Sequence, residues 1–216
     1  MNYLRDNPDR VLELTRQHVE LVAISILIAT LIGVPLGILV TRQRWLDGPV
    51  IGVSGVLYTV PSLALFAILM PYTGLGRATV IVALVLYSLL AIVRNTVAGI
   101  DGVPPATLDA ARGMGMTGRQ RLLMVELPLA LPVILAGVRL ATVAAVGIAT
   151  VGAAFGAGGL GRLIFDGIRS IATPRGVDRL VAGALVASAL ALAADWGLAW
   201  LGNALRRDVG RVGGRG

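Results

Sequence analysis

Cysteine and lysine are both absent from this 216-residue chain, and His18 is its one histidine. Without cysteine there is no disulfide framework, no thiol nucleophile and no thiolate metal ligand. Without lysine there is no P-loop, whose lysine must reach the phosphates of a bound nucleotide. The chain therefore cannot itself be a P-loop ATPase. A single histidine without paired carboxylates makes no metal site, and His18 is expected at an interface just ahead of the first long apolar run. No catalytic residue, metal ligand or cofactor held by this chain is expected. Charge is scarce too: 14% of residues are charged, against about 25% in soluble domains. Aromatic residues make up 5% and are nowhere grouped on a basic face, so the net charge of +7 is not read as a nucleic-acid surface.

What the chain does have is length of apolar sequence. Hydrophobic residues make up 56%, and uncharged runs cover 21–41, 48–76, 78–93, 140–161 and 180–194. Crossing the hydrocarbon core takes about 20 mostly apolar residues as helix, and helices are required because unpaired backbone groups cannot be left in lipid. The expected architecture is all-α, a polytopic membrane protein with about five spans at 19–41, 50–71, 78–99, 129–152 and 180–203. Residues 1–18 are expected to form an amino-terminal interfacial helix, started by Asn7-Pro8, and 19–204 the transmembrane domain. Within it lie a polar insert at about 103–127 and an outer loop at about 153–179. The Gly- and Arg-rich end, 205–216, is expected to be disordered. Some twenty mixed-charge residues precede the first full-length span, which is not the pattern of a cleavable signal.

All 19 basic residues are arginine, sitting mainly in loops and tails where they orient a membrane protein. Placing the polar insert in the cytoplasm puts Arg42, Arg44 and the Arg206–Arg215 group on the same side. The amino terminus is then outside and the carboxyl terminus inside. Gly33 and Gly37 form a small-xxx-small spacing suited to helix packing. Pro61 is expected to kink the second span, as a gating bend or as a purely structural one. Arg139 and Asp195 fall inside spans, where charges are costly. They are expected to pair or to share a polar cavity; the alternative is that each snorkels separately to the interface. The strings Gly156-x-Gly158-x-x-Gly161 and Gly113-x-Gly115-x-x-Gly118 mimic a dinucleotide fingerprint but follow no strand, so they carry no nucleotide reading.

The polar insert is the most specific feature. Pro104-Pro105 ends the preceding element, and Thr107 is expected to cap a helix at Leu108. Leu108, Ala111, Met114 and Gly115 then share one side, and the small Ala110, Ala111 and Gly115 would let a partner surface approach closely. A turn is expected near 116–118, a second helix over 119–127, and Pro128 at the opening of the next span. The plainer alternative is a loop lying on the headgroups.

Asp109-Ala110-Ala111, three residues, Gly115, nine residues, then Val125-Glu126-Leu127-Pro128 resembles the coupling motif of permease subunits of bacterial ATP-binding-cassette importers. In that motif Asp109 stands for Glu and Val125 for Ile; Ala110, Ala111, Gly115, Leu127 and Pro128 match, with Met116 beside them. Tyr58–Leu65, Ile92–Thr96, Ala110–Thr117 and Gly156–Gly161 resemble the osmoprotectant permeases, which carry glycine betaine, choline, carnitine or proline. The resemblance implies a type I permease fold in the bacterial plasma membrane. It implies a cytoplasmic ATPase dimer that holds ATP and Mg, a second permease subunit of the same or a related chain, and an extracytoplasmic binding protein. It also implies alternating access. A quaternary ammonium is usually held by an aromatic cage, for which a chain with 5% aromatics is poorly equipped, so recognition is expected mainly in the binding protein; Tyr58, Pro61, Phe66 and Tyr87 are the pathway candidates. An importer of another small solute, such as an amino acid, is the alternative. A stand-alone secondary transporter would need inverted repeats and several intramembrane carboxylates. An intramembrane enzyme would need a nucleophile and base that the chain lacks.

Overall fold

The computed structural model describes residues 3–212, with backbone alone from 205 onward. The described chain is helical throughout, without strands among the described residues. A short α1 (Tyr3–Asp6) leads to α2 (Pro8–Arg42), then α3 (Asp47–Thr59), α4 (Ser62–Thr73) and α5 (Arg77–Asp101). Two short helices, α6 (Pro105–Gly113) and α7 (Gly118–Arg121), precede α8 (Leu127–Gly152). A loop carrying α9 (Gly161–Arg169) then leads to α10 (Pro174–Val212).

Among the described residues, four helical stretches are long and apolar enough to cross a membrane, containing α2, α5, α8 and α10. The expected second span is different in kind. It is a pair of helices, α3 and α4, bent by 104° at Val60-Pro61. This is a break and not the kink expected of one helix. Val60 is extended (ψ 128°), because a residue before proline is pushed out of the helical region, and Pro61 is extended too (ψ 136°). The bent pair still carries the chain from one end of the bundle to the other. Arg44, before α3, pairs with Asp101 at the end of α5, whereas Thr73, at the end of α4, meets Thr79 in the first turn of α5.

Helix α5 is the centre of the bundle, packed between α2 and α8. Its neighbours come close because they present glycine. A Cβ added at Gly37 would sit 2.6 Å from Thr96 Cβ, and one at Gly137 of α8 would sit 2.5 Å from Asn95 Cβ. Gly33 and Gly37 thus form a true packing stripe, the small-residue contact that lets dispersion act between helices in lipid. The core between them is apolar: Leu21, Phe66, Val80, Leu84, Val146 and Ala149 are buried.

Two expectations at the chain ends are corrected. Residues 8–18 do not form a separate interfacial helix; they are the first turns of α2, continuous with the span. Leu14 packs there on Leu160, Leu163 and Ala187, so the extension is held against the outer loop and not laid flat on headgroups. The expected disordered tail over 205–216 is instead helical through Val212; its last four positions, 213–216, lie outside the described residues.

His18 is also corrected. It is buried and not interfacial. Its Nδ1 accepts from the Leu160 N–H (3.3 Å), which leaves Nε2 to carry the proton and donate to the Val146 carbonyl (3.1 Å). With the neighbouring Gln17 Oε1 accepting from the Gly159 N–H (3.2 Å), it ties the glycine-rich outer loop to α2 and α8.

Candidate functional site

The polar insert folds as two short helices joined by a tight turn, at the end of the bundle where α2 stops and α8 starts. Helix α6 begins at Pro105 with Pro104 before it, three residues earlier than a Thr107 cap would place it. Proline at the first helical position loses no intrahelical bond there, which explains the earlier start. The helix ends by a Schellman arrangement: Met116 N–H donates to the Ala111 carbonyl (3.1 Å) and Gly115 N–H to the Arg112 carbonyl (2.9 Å). Gly115 has φ +78°, the left-handed conformation this terminator requires. The turn therefore falls at Gly115, slightly ahead of 116–118. A Cβ at Gly115 would meet nothing within 4 Å, so within this chain the glycine is demanded by its backbone angle and not by crowding.

The exposed face is not quite the one drawn from helical spacing. Asp109, Ala110, Met114 and Gly115 are exposed, Leu108 and Met116 are half-buried, and Ala111 is buried. Ala111 faces inward because it is the residue the Schellman turn closes over. Asp109 accepts from Arg112 Nη1 at 2.7 Å across one turn of the exposed surface, a contact worth little in stability. Val125, Leu127 and Pro128 are half-buried at the junction with α8.

The residue that organises this region was passed over in the sequence. Glu126, between Val125 and Leu127, is 2% exposed. One of its carboxylate oxygens accepts from Arg42 Nη2, at the end of α2, and the other from Arg121 Nε (2.9 Å). Nearby, Arg44 grips Asp101 at the end of α5 with two bonds of 2.8 and 2.9 Å. A π-helical stretch over Leu122–Glu126 widens the helix by about one residue per turn, changing which side chains face the bundle. Thr117 and Gln120 form a capping box that starts α7; the Thr-x-x-Gln string that encodes it was present in the sequence. The α6–α7 elbow is thus clamped to the ends of α2 and α8 by a buried carboxylate.

Between α8 and α10 the structure brings the half-buried Arg139 and Asp195 together. Nε and Nη2 of the arginine donate to the two carboxylate oxygens at 2.5 and 2.6 Å. This bidentate pair joins α8 to α10, and the snorkelling alternative does not hold. Of the four pathway candidates, three are gathered. Tyr58 and Tyr87 stack edge to face with centroids 6.2 Å apart, and Tyr87 Oη donates to the Val60 carbonyl at 2.6 Å, next to Pro61 at the helix break. Phe66 is separate: it is fully buried against Phe155, with centroids 5.2 Å apart. It is a core residue, because the break at Pro61 turns α4 so that Phe66 faces α8 and the outer loop. No group of three or more metal-ligating side chains occurs among the described residues.

The sequence matches the family model described as "Binding-protein-dependent transport system inner membrane component" over residues 33–207. It is 44% identical over 201 residues to the osmoprotectant import permease protein OsmW of Salmonella typhimurium, covering 91% of this chain and 92% of that one. It is 45% identical over 203 residues to the glycine betaine/carnitine/choline transport system permease protein OpuCD of Bacillus subtilis, with 94% and 87% covered. In fold it is similar to a chain of the inward-facing MetNI methionine ABC transporter, with a TM-score of 0.78 at 23% identity and 91% and 96% of the two chains covered.

Proposed function

Because the chain belongs to the family of binding-protein-dependent transport system inner membrane components, we propose that it is the membrane-spanning permease subunit of an ATP-driven osmoprotectant importer. The observation that carries the substrate class is the identity of 44–45% along nearly the whole length to permeases named for osmoprotectants, glycine betaine, carnitine and choline. The chain hydrolyses nothing itself. ATP and Mg belong to a dimeric ATPase in the cytoplasm, and the substrate arrives on an extracytoplasmic binding protein. A second permease subunit completes the pathway.

The α6–α7 elbow is the point at which the ATPase acts. It is exposed, stiffened by the Schellman turn and the capping box, and tied by Glu126 to the ends of two spans. A force applied to Asp109, Ala110 and Met114 therefore reaches α2 and α8 together. The elbow lies in the cytoplasm, with the amino end of the chain outside and the carboxyl end inside. In support, the short Arg42–Arg44 turn and the Arg206–Arg215 group fall on the elbow side, as the positive-inside bias of membrane proteins requires. The Tyr58–Tyr87 face beside the helix break lines the pathway.

Reconstitution into liposomes tests this reading. Uptake of radiolabelled glycine betaine should need the ATPase, ATP and the binding protein, each in turn. Uptake by the permease without any ATPase would refute the assignment.

A further inference from the structure

A cleft of about 210 Å³ opens beside the break in the second span, lined by Tyr58, Tyr87, Arg94, Asn95 and residues of α8 including Leu140 and Ala144. That is below the roughly 300 Å³ of sites built for drug-sized ligands and suits a smaller solute. Its chemistry is divided. One end is aromatic: Tyr87 is locked by its bond to the Val60 carbonyl, while Tyr58 is 48% exposed. The other end is cationic. Arg94 is exposed on α5, and among the described residues no hydrogen bond or ion pair engages it. The other arginine deep in a span, Arg139, is neutralised by Asp195. Seven residues from the end of α5, Arg94 lies about 10 Å along the helix axis from that end at 1.5 Å per residue. A charge within a span is a functional-site candidate by default. Beside it, Asn95 Nδ2 donates to its own helix, to the Ala91 carbonyl at 2.8 Å. Its second amide hydrogen is left over.

We propose that this cleft is a transport subsite for zwitterionic quaternary amines, with Arg94 and Asn95 taking the carboxylate and Tyr58 the ammonium. The inference rests on the osmoprotectant reading and goes further than it. Guanidinium and carboxylate match as a two-pronged pair, and a quaternary ammonium is attracted to a tyrosine face within about 6 Å. Glycine betaine and carnitine carry both charges. Choline carries the cation alone, so Arg94 repels it with nothing in return. The permease therefore discriminates between solutes that a binding protein could deliver equally well.

The test uses the detergent-purified complex of permease and ATPase, without binding protein, and thermal stabilisation by glycine betaine or choline at equal concentration. Glycine betaine should stabilise the wild-type complex at a concentration at least tenfold below that needed for choline. Arg94→Gln should abolish the difference and Arg94→Lys should restore part of it. Tyr58→Ala should weaken the response to both solutes, while Tyr58→Phe should retain it. Equal responses to the two solutes in the wild type, no response to either, or a difference unchanged by Arg94→Gln would each overturn the proposal. Uptake by the full importer, run in parallel, keeps the two readings apart. If uptake of glycine betaine is ATP-driven while the Arg94 arm fails, this subsite is wrong and the osmoprotectant reading stands. If none of these amines is carried, the substrate reading falls and the subsite with it.

Discussion

Replacing Glu126 by Gln removes the charge that holds the elbow to the bundle while leaving the shape nearly unchanged. Truncating one partner of a fully buried ion pair costs about 3–5 kcal/mol. Here the penalty is smaller, because the arginines that lose their partner can reach water. Arg42 is 39% exposed and Arg121 is 20% exposed at the side chain, and the Gln amide oxygen still accepts one bond. A loss of about 2 kcal/mol is expected, which corresponds to a fall in melting temperature of roughly 4–8 °C for a chain of this size. The measurement is thermal unfolding of the purified complex. It should be accompanied by a double-mutant cycle with Arg42→Gln, in which the double variant is less damaged than the sum by about 1–3 kcal/mol. Transport should suffer more than stability: ATP hydrolysis persists, while solute moved per ATP falls several-fold, because the elbow swings without drawing α2 along. Glu126→Asp, which keeps the charge on a shorter arm, should fall between. A melting temperature lowered by less than about 2 °C, together with strict additivity in the cycle, would refute the clamp.

Gly115 separates backbone need from surface need. A β-branched residue at φ +78° costs about 1–2 kcal/mol, so Gly115→Val should uncouple uptake from ATP hydrolysis. Gly115→Asn, whose side chain tolerates the left-handed region, should retain most uptake; equal damage by both would place the requirement in contact with a partner instead. Arg139→Asp and Asp195→Arg should each reduce the amount of folded protein, and the double exchange should recover much of it, as measured by size-exclusion yield; no recovery would deny the pair a structural role. Gly137→Val should prevent folding or cost more than about 3 kcal/mol by overpacking, because its Cβ would lie 2.8 Å from the Ala91 carbonyl oxygen and 2.5 Å from Asn95 Cβ. A normal melting curve for that variant would contradict the close α5–α8 packing.

The route from residues to site was uneven. The shape of the elbow is legible because it depends on short-range chemistry: Pro104-Pro105 to stop one helix, Gly115 to end the next and Pro128 at the following start. The pairing of Arg139 with Asp195 was accessible from depth alone, since two opposite charges stranded at similar levels in lipid have few other partners. Glu126 was missed because a lone acidic residue beside a span reads as a headgroup contact. Its burial depends on Arg42, 84 positions away, and on a π turn that no apolar period announces. His18 was misplaced for the same reason: its partners, Val146 and Leu160, are 128 and 142 positions distant. Residue type alone points Phe66 to the pathway, whereas the direction of α4 beyond the break turns it into the core.

Hydropathy by itself determined that this chain is a bundle of membrane-crossing helices. Lipid offers the backbone no hydrogen bonds, so about 20 apolar residues have no alternative but to satisfy their own. Local sequence likewise determined where the elbow turns. Only the tertiary structure decided that the second crossing is two helices bent by 104°, that a buried carboxylate clamps the elbow, and that an arginine unpaired among the described residues shares a cleft with two tyrosines. These depend on which helix faces meet, and facing is settled by packing across the whole bundle, in which α2, α5 and α8 meet along glycines far apart in the chain.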